Sequence, residues 1–148
     1  MAAVPDELHS AIAARLRRSG QRATPNRNAL VLILLRAGRP VTIPEILDTD
    51  SELAQSSVYR NLQLLEQAGV VHRIVTNAEF ARYELAEDLT GDHHHHLICS
   101  SCGSVEDVPA TAGLERSLHN AIDQIAQTTG FQTATHRIDL VGLCRDCA

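Results

Sequence analysis

The sequence has no apolar run long enough to span a membrane as a helix, which takes about 20 residues. The longest apolar run, residues 29–35, lies within a helical pattern. The opening segment, MAAVPDELHS, is polar and lacks the apolar stretch of a secretory signal peptide. We therefore expect a cytoplasmic protein that has no contact with a membrane.

Lysine is absent, so arginine carries all of the positive charge apart from histidine. The net charge of −5 argues weakly against nucleic-acid binding, but the charge is unevenly distributed. Residues 1–71 contain eight arginines and seven acids, whereas residues 72–148 contain five arginines and eleven acids. An arginine cluster near the start suits contacts with phosphate and guanine, although a lysine-free chain is also typical of a GC-rich genome. The cluster comprises Arg15, Arg17, Arg18, Arg22 and Arg27.

The first half of the chain has the pattern of several helices followed by a hairpin. Helices are predicted over residues 6–18, 25–37 and 55–68. Each of these segments is followed by a glycine that ends it. Thr42 and Glu45 form a capping box for a further short helix. Two strands, residues 70–76 and 81–85, are predicted around a turn.

Helices followed by a two-stranded wing are typical of a winged helix-turn-helix, in which the helix before the wing enters the major groove. Here that helix is QSSVYRNLQLLEQAG, and its buried stripe is expected to be Val58, Leu62, Leu65 and Ala68. The opposite face carries side chains suited to base edges and phosphates, although a polar helix face is usually only solvated. These side chains are Gln55, Ser56, Tyr59, Arg60 and Gln63.

The polar, turn-rich stretch AEDLTGD predicts a linker. We therefore divide the chain into a winged-helix DNA-binding domain (residues 1–86), a linker (residues 87–92) and a small α+β domain (residues 93–148). In the second domain, strands are expected at residues 97–99, 104–108 and 135–143, and a helix at residues 112–129. The expected fold class of the whole chain is α+β.

The cysteines form two CxxC pairs, Cys99 with Cys102 and Cys144 with Cys147, with 41 residues between them. Each pair can present two thiolates from a tight turn, and two such turns complete a tetrahedron around Zn²⁺. A site with four protein ligands has no open position, so we expect one structural zinc per chain. A redox pair is the alternative, but a redox CxxC usually opens a helix, and Cys147 stands one residue before the end of the sequence.

Four consecutive histidines, residues 93–96, precede the strand predicted at residues 97–99. Alternate side chains of an extended segment point to opposite faces, so His94 and His96 face one way and His93 and His95 the other. One strand can therefore serve two metal sites, although a solvated histidine-rich loop or an expression tag would give the same pattern. Candidate partners elsewhere in the chain are His72, Glu84, Glu115 and His136.

These segments resemble the ferric uptake regulator family of metal-dependent repressors over nearly the whole chain. HHHHLICSSCG and HRIDLVGLCRDC are similar to its metal-binding half, and SSVYRNLQLLEQAGVV is similar to its recognition helix. The resemblance implies a homodimer joined through the C-terminal domain, in which metal binding sets the angle between the DNA-binding domains. It also implies binding to palindromic double-stranded operator DNA and control of metal-uptake genes.

Residue by residue, the resemblance implies three metal sites and a set of DNA contacts. The structural zinc ligands would be Cys99, Cys102, Cys144 and Cys147. The regulatory hinge site would comprise His72, Glu84, His94 and His96. The additional site would comprise His93, His95, Glu115 and His136. The DNA contacts would be Arg27, Ser56, Ser57, Tyr59 and Arg60.

Two departures from the family pattern bear on the regulatory metal. Iron sensors usually bring a histidine from the turn before the third helix, where this chain has Arg39-Pro40-Val41, whereas zinc sensors often bring a ligand from the place of His72. Zinc sensors also usually carry a cysteine near the end of the wing, where Ala86 stands here. The hinge site is then built from nitrogen and oxygen donors, and we expect Zn²⁺ rather than Fe²⁺ as the co-repressor.

The leading prediction is therefore a zinc-sensing repressor, with a ferrous-iron, manganese or nickel sensor of the same family as the alternative. From other classes, a metal-storage protein would use the histidine tract, and a zinc hydrolase would need an open metal position and a base. Glu84 beside His94 and His96 can imitate the hydrolase site. That interpretation gives the winged-helix half no role, so we expect no enzymatic activity and no small organic substrate.

Overall fold

The computed structural model describes residues 4–148, and we call residues 4–86 the N-terminal half, residues 87–92 the linker and residues 93–148 the C-terminal half. The N-terminal half contains α1 (Asp6–Arg18), α2 (Pro25–Ala37), β1 (Val41–Thr42), α3 (Ile43–Thr49), α4 (Gln55–Gln67), β2 (Val71–Ile74) and β3 (Arg82–Leu85). The linker contains α5 (Glu87–Thr90). The C-terminal half contains β4 (His94–Cys99), β5 (Val105–Pro109), α6 (Ala112–Thr129) and β6 (Asp139–Gly142). The predicted α+β class is confirmed.

Capping residues set the helix ends in the N-terminal half. The Thr24 hydroxyl accepts a hydrogen bond from the Arg27 backbone N–H, and Pro25 occupies the first turn of α2. Thr42 and Glu45 form the predicted capping box at the start of α3. Gly38 ends α2 at a φ of 58°, in the left-handed region where glycine is favoured.

The helices and the first sheet of the N-terminal half enclose one apolar core. Leu16, Ile46, Leu62 and Leu65 are completely buried in it. The wing is a three-stranded sheet of order β1-β3-β2, so β1 is added to the two strands predicted. This strand has only two residues, too few to show a periodic pattern. Among residues 4–148, no helix is both long and apolar enough to cross a membrane.

The second sheet has the order β5-β4-β6. Its central strand, β4, includes three of the four histidines, so the tract is part of the strand rather than a loop before it. β6 covers only Asp139–Gly142, a shorter stretch than the predicted residues 135–143. The linker, predicted without secondary structure, contains the single turn α5.

The C-terminal half has very little interior of its own. Its fully buried residues are His95, His96, Ile98, Cys99 and Gly103. The long helix α6 contains no buried residue, although Leu114, Leu118, Ile122 and Ile125 line one face of it. A half with so small a core needs other sources of stability, such as bound metal or association with a second chain.

Candidate metal centres

The four cysteines converge, as the spacing of the two pairs predicted. Cys99 and Cys102 lie at the end of β4, Cys144 and Cys147 follow β6, and all four Sγ atoms lie within 4.8 Å of one another. The Sγ atoms of Cys102 and Cys144 are 3.8 Å apart. A regular tetrahedron with Zn–S bonds of about 2.3 Å has edges of about 3.8 Å, whereas a disulfide bond is about 2.05 Å long. This spacing fits zinc and excludes a disulfide between these two residues.

Backbone amides prepare Cys99 to act as a thiolate. Its Sγ accepts hydrogen bonds from the N–H of Cys102 at 3.5 Å and from the N–H of Cys144 at 3.4 Å. These bonds, that from Cys102 first, lower the pKa of the Cys99 thiol from 9.0 to about 6. Zn²⁺ binds the thiolate rather than the thiol, so these amides favour the ligating form.

A second cluster lies where the wing meets the C-terminal sheet. Glu84 of β3 places Oε1 3.0 Å from His96 Nε2 and Oε2 3.2 Å from His94 Nε2. Asp107 of β5 places Oδ1 3.7 Å from His94 Nε2 and 3.8 Å from His96 Nε2. The ligating atoms of these four residues lie within 4.8 Å of one another, and we call this group the hinge cluster.

His72 is not part of the hinge cluster, and Asp107 takes the place expected for it. His72 stands opposite Glu84 in the β2–β3 ladder, but its ring contacts the Arg137 guanidinium. Burial and then the Arg137 charge lower the pKa of His72. The ring centroid of His72 lies 6.4 Å from that of His96, so the two rings stack without sharing a ligand position.

The third cluster unites the four residues expected at the additional site, and we call it the inner cluster. Glu115 of α6 places Oε1 2.9 Å from His95 Nε2 and Oε2 2.9 Å from His136 Nε2. The same Oε2 lies 3.3 Å from His93 Nε2. The ligating atoms of all four residues lie within 4.8 Å of one another, and all four residues belong to the C-terminal half.

Three of the four tract histidines are oriented by an acceptor on the far side of the ring. Nδ1 of His93 donates to Glu87 Oε2 at 2.7 Å, that of His94 to the Asp92 carbonyl at 3.0 Å, and that of His96 to Asp139 Oδ1 at 3.1 Å. A proton on Nδ1 leaves the lone pair on Nε2, which faces the cluster in each case. This is the arrangement that outer carboxylates and carbonyls impose on metal-binding histidines.

An unpartnered nitrogen in the hinge cluster also fits a bound metal. His96 is 1% exposed, and while the ring is neutral with its proton on Nδ1, its Nε2 lone pair faces the acceptor Glu84 Oε1, 3.0 Å away, with no hydrogen between them. A buried polar atom without a partner is costly, and a metal bond to the lone pair removes that cost. Two imidazoles and two carboxylates suit Zn²⁺, Fe²⁺ and Mn²⁺ as a donor set.

The charges within the hinge cluster oppose the effect of burial. Burial lowers the pKa of His96, but the carboxylates of Glu84 and Asp139 outweigh it and raise the pKa overall. The pKa of His94 is raised as well, because the Asp92 carbonyl and Glu84 outweigh burial. The pKa of Glu84 is lowered, since the two histidines outweigh its own burial.

The candidate recognition helix, α4, presents most of the side chains predicted for it. Val58, Leu62 and Leu65 are buried, and Asn61 joins this buried face. Ser56, Tyr59 and Arg60 are exposed, and Tyr59 has 45% of its surface accessible. Their side chains are therefore available to a ligand in front of the helix.

Arg27 and Ser57 are held by contacts within the chain. Arg27 donates from Nε to Asn61 Oδ1 at 3.1 Å and from a terminal nitrogen to Gln21 Oε1 at 3.1 Å, and its other terminal nitrogen contacts the Arg22 carbonyl. The Ser57 hydroxyl accepts from Asn26 Nδ2 at 3.2 Å. These contacts tie the start of α2 to α4, and both side chains are half-buried, so their contacts with DNA stay a prediction.

Comparison with known proteins finds similarity to one family of regulators over most of the chain. The sequence model of the ferric uptake regulator family matches residues 18–141. The peroxide-responsive repressor PerR of Staphylococcus aureus is 28% identical over 149 aligned positions, which span 97% of this chain and 93% of the relative.

Solved structures share the fold over similar lengths. The ferric uptake regulator Fur of Helicobacter pylori superposes with a TM-score of 0.71 at 23% identity, covering 99% of this chain and 97% of its own. A zinc-bound manganese uptake regulator superposes with a TM-score of 0.57 at 26% identity, covering 90% of this chain and 98% of its own. The names of these relatives refer to peroxide, iron and manganese, so they do not select one signal for this chain.

Proposed function

Because this chain belongs to the ferric uptake regulator family, whose members are metal-responsive transcription regulators, we propose that it is a metal-dependent repressor of metal-uptake genes. It would bind palindromic operator DNA as a homodimer in the cytoplasm. Zinc in the four-cysteine site would hold the C-terminal half together, and a second divalent metal would act as co-repressor. Three features support this proposal: the hinge cluster, the exposed apolar surface of the C-terminal half, and the exposed polar face of α4.

The observation that carries the proposal is the position of Glu84. It is the only member of the hinge cluster from the N-terminal half, since His94, His96 and Asp107 all come from the C-terminal sheet. A divalent metal in this cluster would supply bonds that join the wing to that sheet. A site whose ligands come from two bodies differs in affinity between their arrangements, because moving one body moves its ligand, and this difference is what makes a switch.

The inner cluster does not have this property. All four of its side chains come from the C-terminal half, so closing it stabilises that half directly. The four-cysteine site is likewise confined to one half and has the donor set of a structural site. We therefore assign the switch to the hinge cluster and a stabilising role to the four-cysteine site.

Exposed apolar side chains support a homodimer formed through the C-terminal half. Leu97 and Leu140 are adjacent in the β4–β6 ladder and are 39% and 58% exposed. Val141 and Phe131 are 68% and 64% exposed. Apolar side chains grouped in this way typically mark an interaction surface, and the half that carries them has almost no interior.

We favour Zn²⁺ as the co-repressor. The hinge cluster has no thiolate, and two imidazoles with two carboxylates bind Zn²⁺ more tightly than Fe²⁺ or Mn²⁺ in the general order of metal affinities. His72 lies outside the hinge cluster, so the argument for zinc that rested on His72 is weaker, and the order of affinities remains. A ferrous-iron or manganese sensor with the same donor set is the second candidate.

The direct test is selection of DNA by the protein. A random-sequence library of double-stranded DNA is offered to protein that keeps its structural zinc, with Zn²⁺, Fe²⁺, Mn²⁺ or a chelator added. We expect a palindromic sequence to be enriched with metal, most strongly with Zn²⁺, and not with the chelator. Enrichment of no sequence under any condition would contradict the repressor and favour a storage protein or a hydrolase.

A further inference from the structure

Glu87 on α5 touches histidines of two different clusters. Its Oε2 accepts a hydrogen bond from His93 Nδ1 at 2.7 Å. Its Oε1 lies 4.0 Å from His94 Nδ1 and is a buried oxygen without a hydrogen-bond partner. His93 belongs to the inner cluster and His94 to the hinge cluster. One carboxylate of the linker is therefore placed between the two sites.

The contact with His93 fixes which ring nitrogen faces the inner cluster. With Nδ1 donating to Glu87, Nε2 carries the lone pair and points at Glu115 Oε2, 3.3 Å away, and at His136 Nε2, 3.1 Å away. A carboxylate behind the ring also makes the imidazole a stronger ligand. His95, the other tract histidine of this cluster, has no such partner, because its Nδ1 is buried without a hydrogen bond.

The next residue of α5 connects to the N-terminal half. Asp88 accepts two hydrogen bonds from the Arg15 guanidinium of α1, at 2.5 Å and 3.2 Å. Arg15 also donates to the Gly69 carbonyl, at 2.5 Å. Gly69 lies two residues beyond the end of the candidate recognition helix. Glu87 and Asp88 are adjacent on α5. Glu87 thus contacts the inner cluster, and Asp88 is connected through Arg15 to the residues just after α4.

We propose that Glu87 is a positioning residue for metal at the inner cluster, and that Asp88 and Arg15 pass the state of that cluster to the end of α4. This inference rests on the proposed function, because it assumes that the inner cluster binds metal. Filling the cluster would hold His93 and hence Glu87 in place. The inner cluster would then be a second input to DNA binding, although its ligands all come from one half.

The positioning role is tested by measuring Zn²⁺ affinity against a chromophoric chelator. The measurement is made in a Glu84→Gln background, in which the hinge cluster is weakened and the inner cluster is intact. We expect Glu87→Ala to weaken the affinity of the inner cluster about 10- to 100-fold, as loss of an outer partner typically does. Glu106→Ala, which removes an exposed carboxylate from β5, should leave the affinity unchanged.

A His93→Ala variant separates the two possible failures. If His93→Ala loses one Zn²⁺ per chain while Glu87→Ala binds like Glu106→Ala, the inner cluster is a metal site and the role of Glu87 is wrong. If His93→Ala binds as much Zn²⁺ as its parent, the inner cluster is not a metal site and the proposed function loses its third site. Circular dichroism checks that each variant is folded.

The relay is tested by Asp88→Asn, which removes the ion pair and keeps the shape of the side chain. Zn²⁺ affinity of the inner cluster should stay at the parental value. The gain in DNA affinity on adding Zn²⁺ should shrink by up to about fivefold, the size that an exposed ion pair allows. Asp123→Asn on the exposed face of α6 is the matched control. Equal Zn²⁺ responses in the two variants would overturn the relay.

Discussion

At the scale of single residues, the hinge cluster depends on carboxylates that stand beside His96 in the sheet. Asp107 lies opposite His96 in β5, and Asp139 lies opposite it in β6. Asp107 faces the ligand side of the imidazole and Asp139 faces the other side. One central histidine therefore receives a neighbouring ligand and an orienting acceptor from its two adjacent strands.

This arrangement separates the expected effects of Asp107 and His72. We expect Asp107→Ala to reduce the affinity of the hinge cluster for Zn²⁺ by tenfold or more, because a ligand is lost. His72→Ala should change this affinity little, because the ring contacts Arg137 outside the cluster. Isothermal titration of protein that keeps its structural zinc gives both values. A larger loss in His72→Ala than in Asp107→Ala would restore His72 as the ligand.

The raised pKa values of His94 and His96 predict two opposite dependences on pH. Metal and proton compete for Nε2, so metal affinity is highest above the raised pKa and falls as the pH drops through it. Because both pKa values are raised, this fall begins at a pH above 6.5, the ordinary pKa of histidine. In metal-free protein, the pairing of protonated histidine with Glu84 stabilises the fold at low pH. That contribution is lost as the pH rises through the same pKa.

Titrations of metal affinity and of thermal unfolding between about pH 5 and pH 8 measure the two effects. The Glu84→Gln variant is the control, because it removes the one side-chain charge that contributes to raising both pKa values and is shared between the wing and the sheet. We expect its metal affinity to be lower and to begin falling at a lower pH. Metal affinity in the parent that does not vary with pH would contradict the histidine ligands.

At the scale of elements, α4 should decide which DNA sequence is bound. Arg60→Ala should cost about 1–3 kcal/mol of binding free energy and relax the preference at one base pair, if the guanidinium contacts a base. Loss of a phosphate contact would instead weaken all sequences equally. Competition between the selected DNA and single-base variants distinguishes the two results. Unchanged affinity in both Arg60→Ala and Tyr59→Phe would remove α4 from the interface.

The two cysteine turns are the elements that stabilise the C-terminal half. Metal binding to a structural four-cysteine site contributes about 10–16 kcal/mol in small zinc domains, more than this half can gain from its few buried residues. We expect Cys102→Ser to lose one zinc per chain and to become monomeric. Elemental analysis and analytical ultracentrifugation check this. A zinc-free variant that stays dimeric would contradict the structural role.

Sequence patterns predict an element well when its capping residues and the spacing of its side chains lie within or next to that element. The bounds of α6 were predicted correctly because Thr111 caps its start and Gly130 ends it. The cysteine cluster followed from spacing alone. Asp107 and Asp139 were missed because their proximity to His96 depends on strand pairing, and the register of three strands is not visible in any one of them. Similarly, α5 is one turn long and has no periodic pattern.

At the scale of the whole molecule, the two halves differ in how they are stabilised. The N-terminal half has a complete apolar core, whereas the C-terminal half combines three ligand clusters with an exposed apolar face. Hydrogen bonds also join the two halves, such as those from Arg82 Nε to the Gly103 carbonyl and from Asn77 Nδ2 to the Ser100 carbonyl, both at 3.2 Å.

If Glu84 joins the halves through a shared metal, its removal should disconnect metal from DNA binding. We expect Zn²⁺ to raise the DNA affinity of the parent by about 5- to 150-fold, the usual range of such coupling. In Glu84→Gln most of this gain should be lost, while the structural zinc, the dimer and the metal-free DNA affinity are retained. Asp123→Asn on the exposed face of α6 should respond like the parent.

The most direct measurement is therefore the fluorescence anisotropy of labelled operator DNA, titrated with each protein in the presence of Zn²⁺ and in the presence of a chelator. A Zn²⁺ response in the parent and in Asp123→Asn, with little response in Glu84→Gln, is the expected result. An equal response in all three proteins would show that the switch lies outside the hinge cluster.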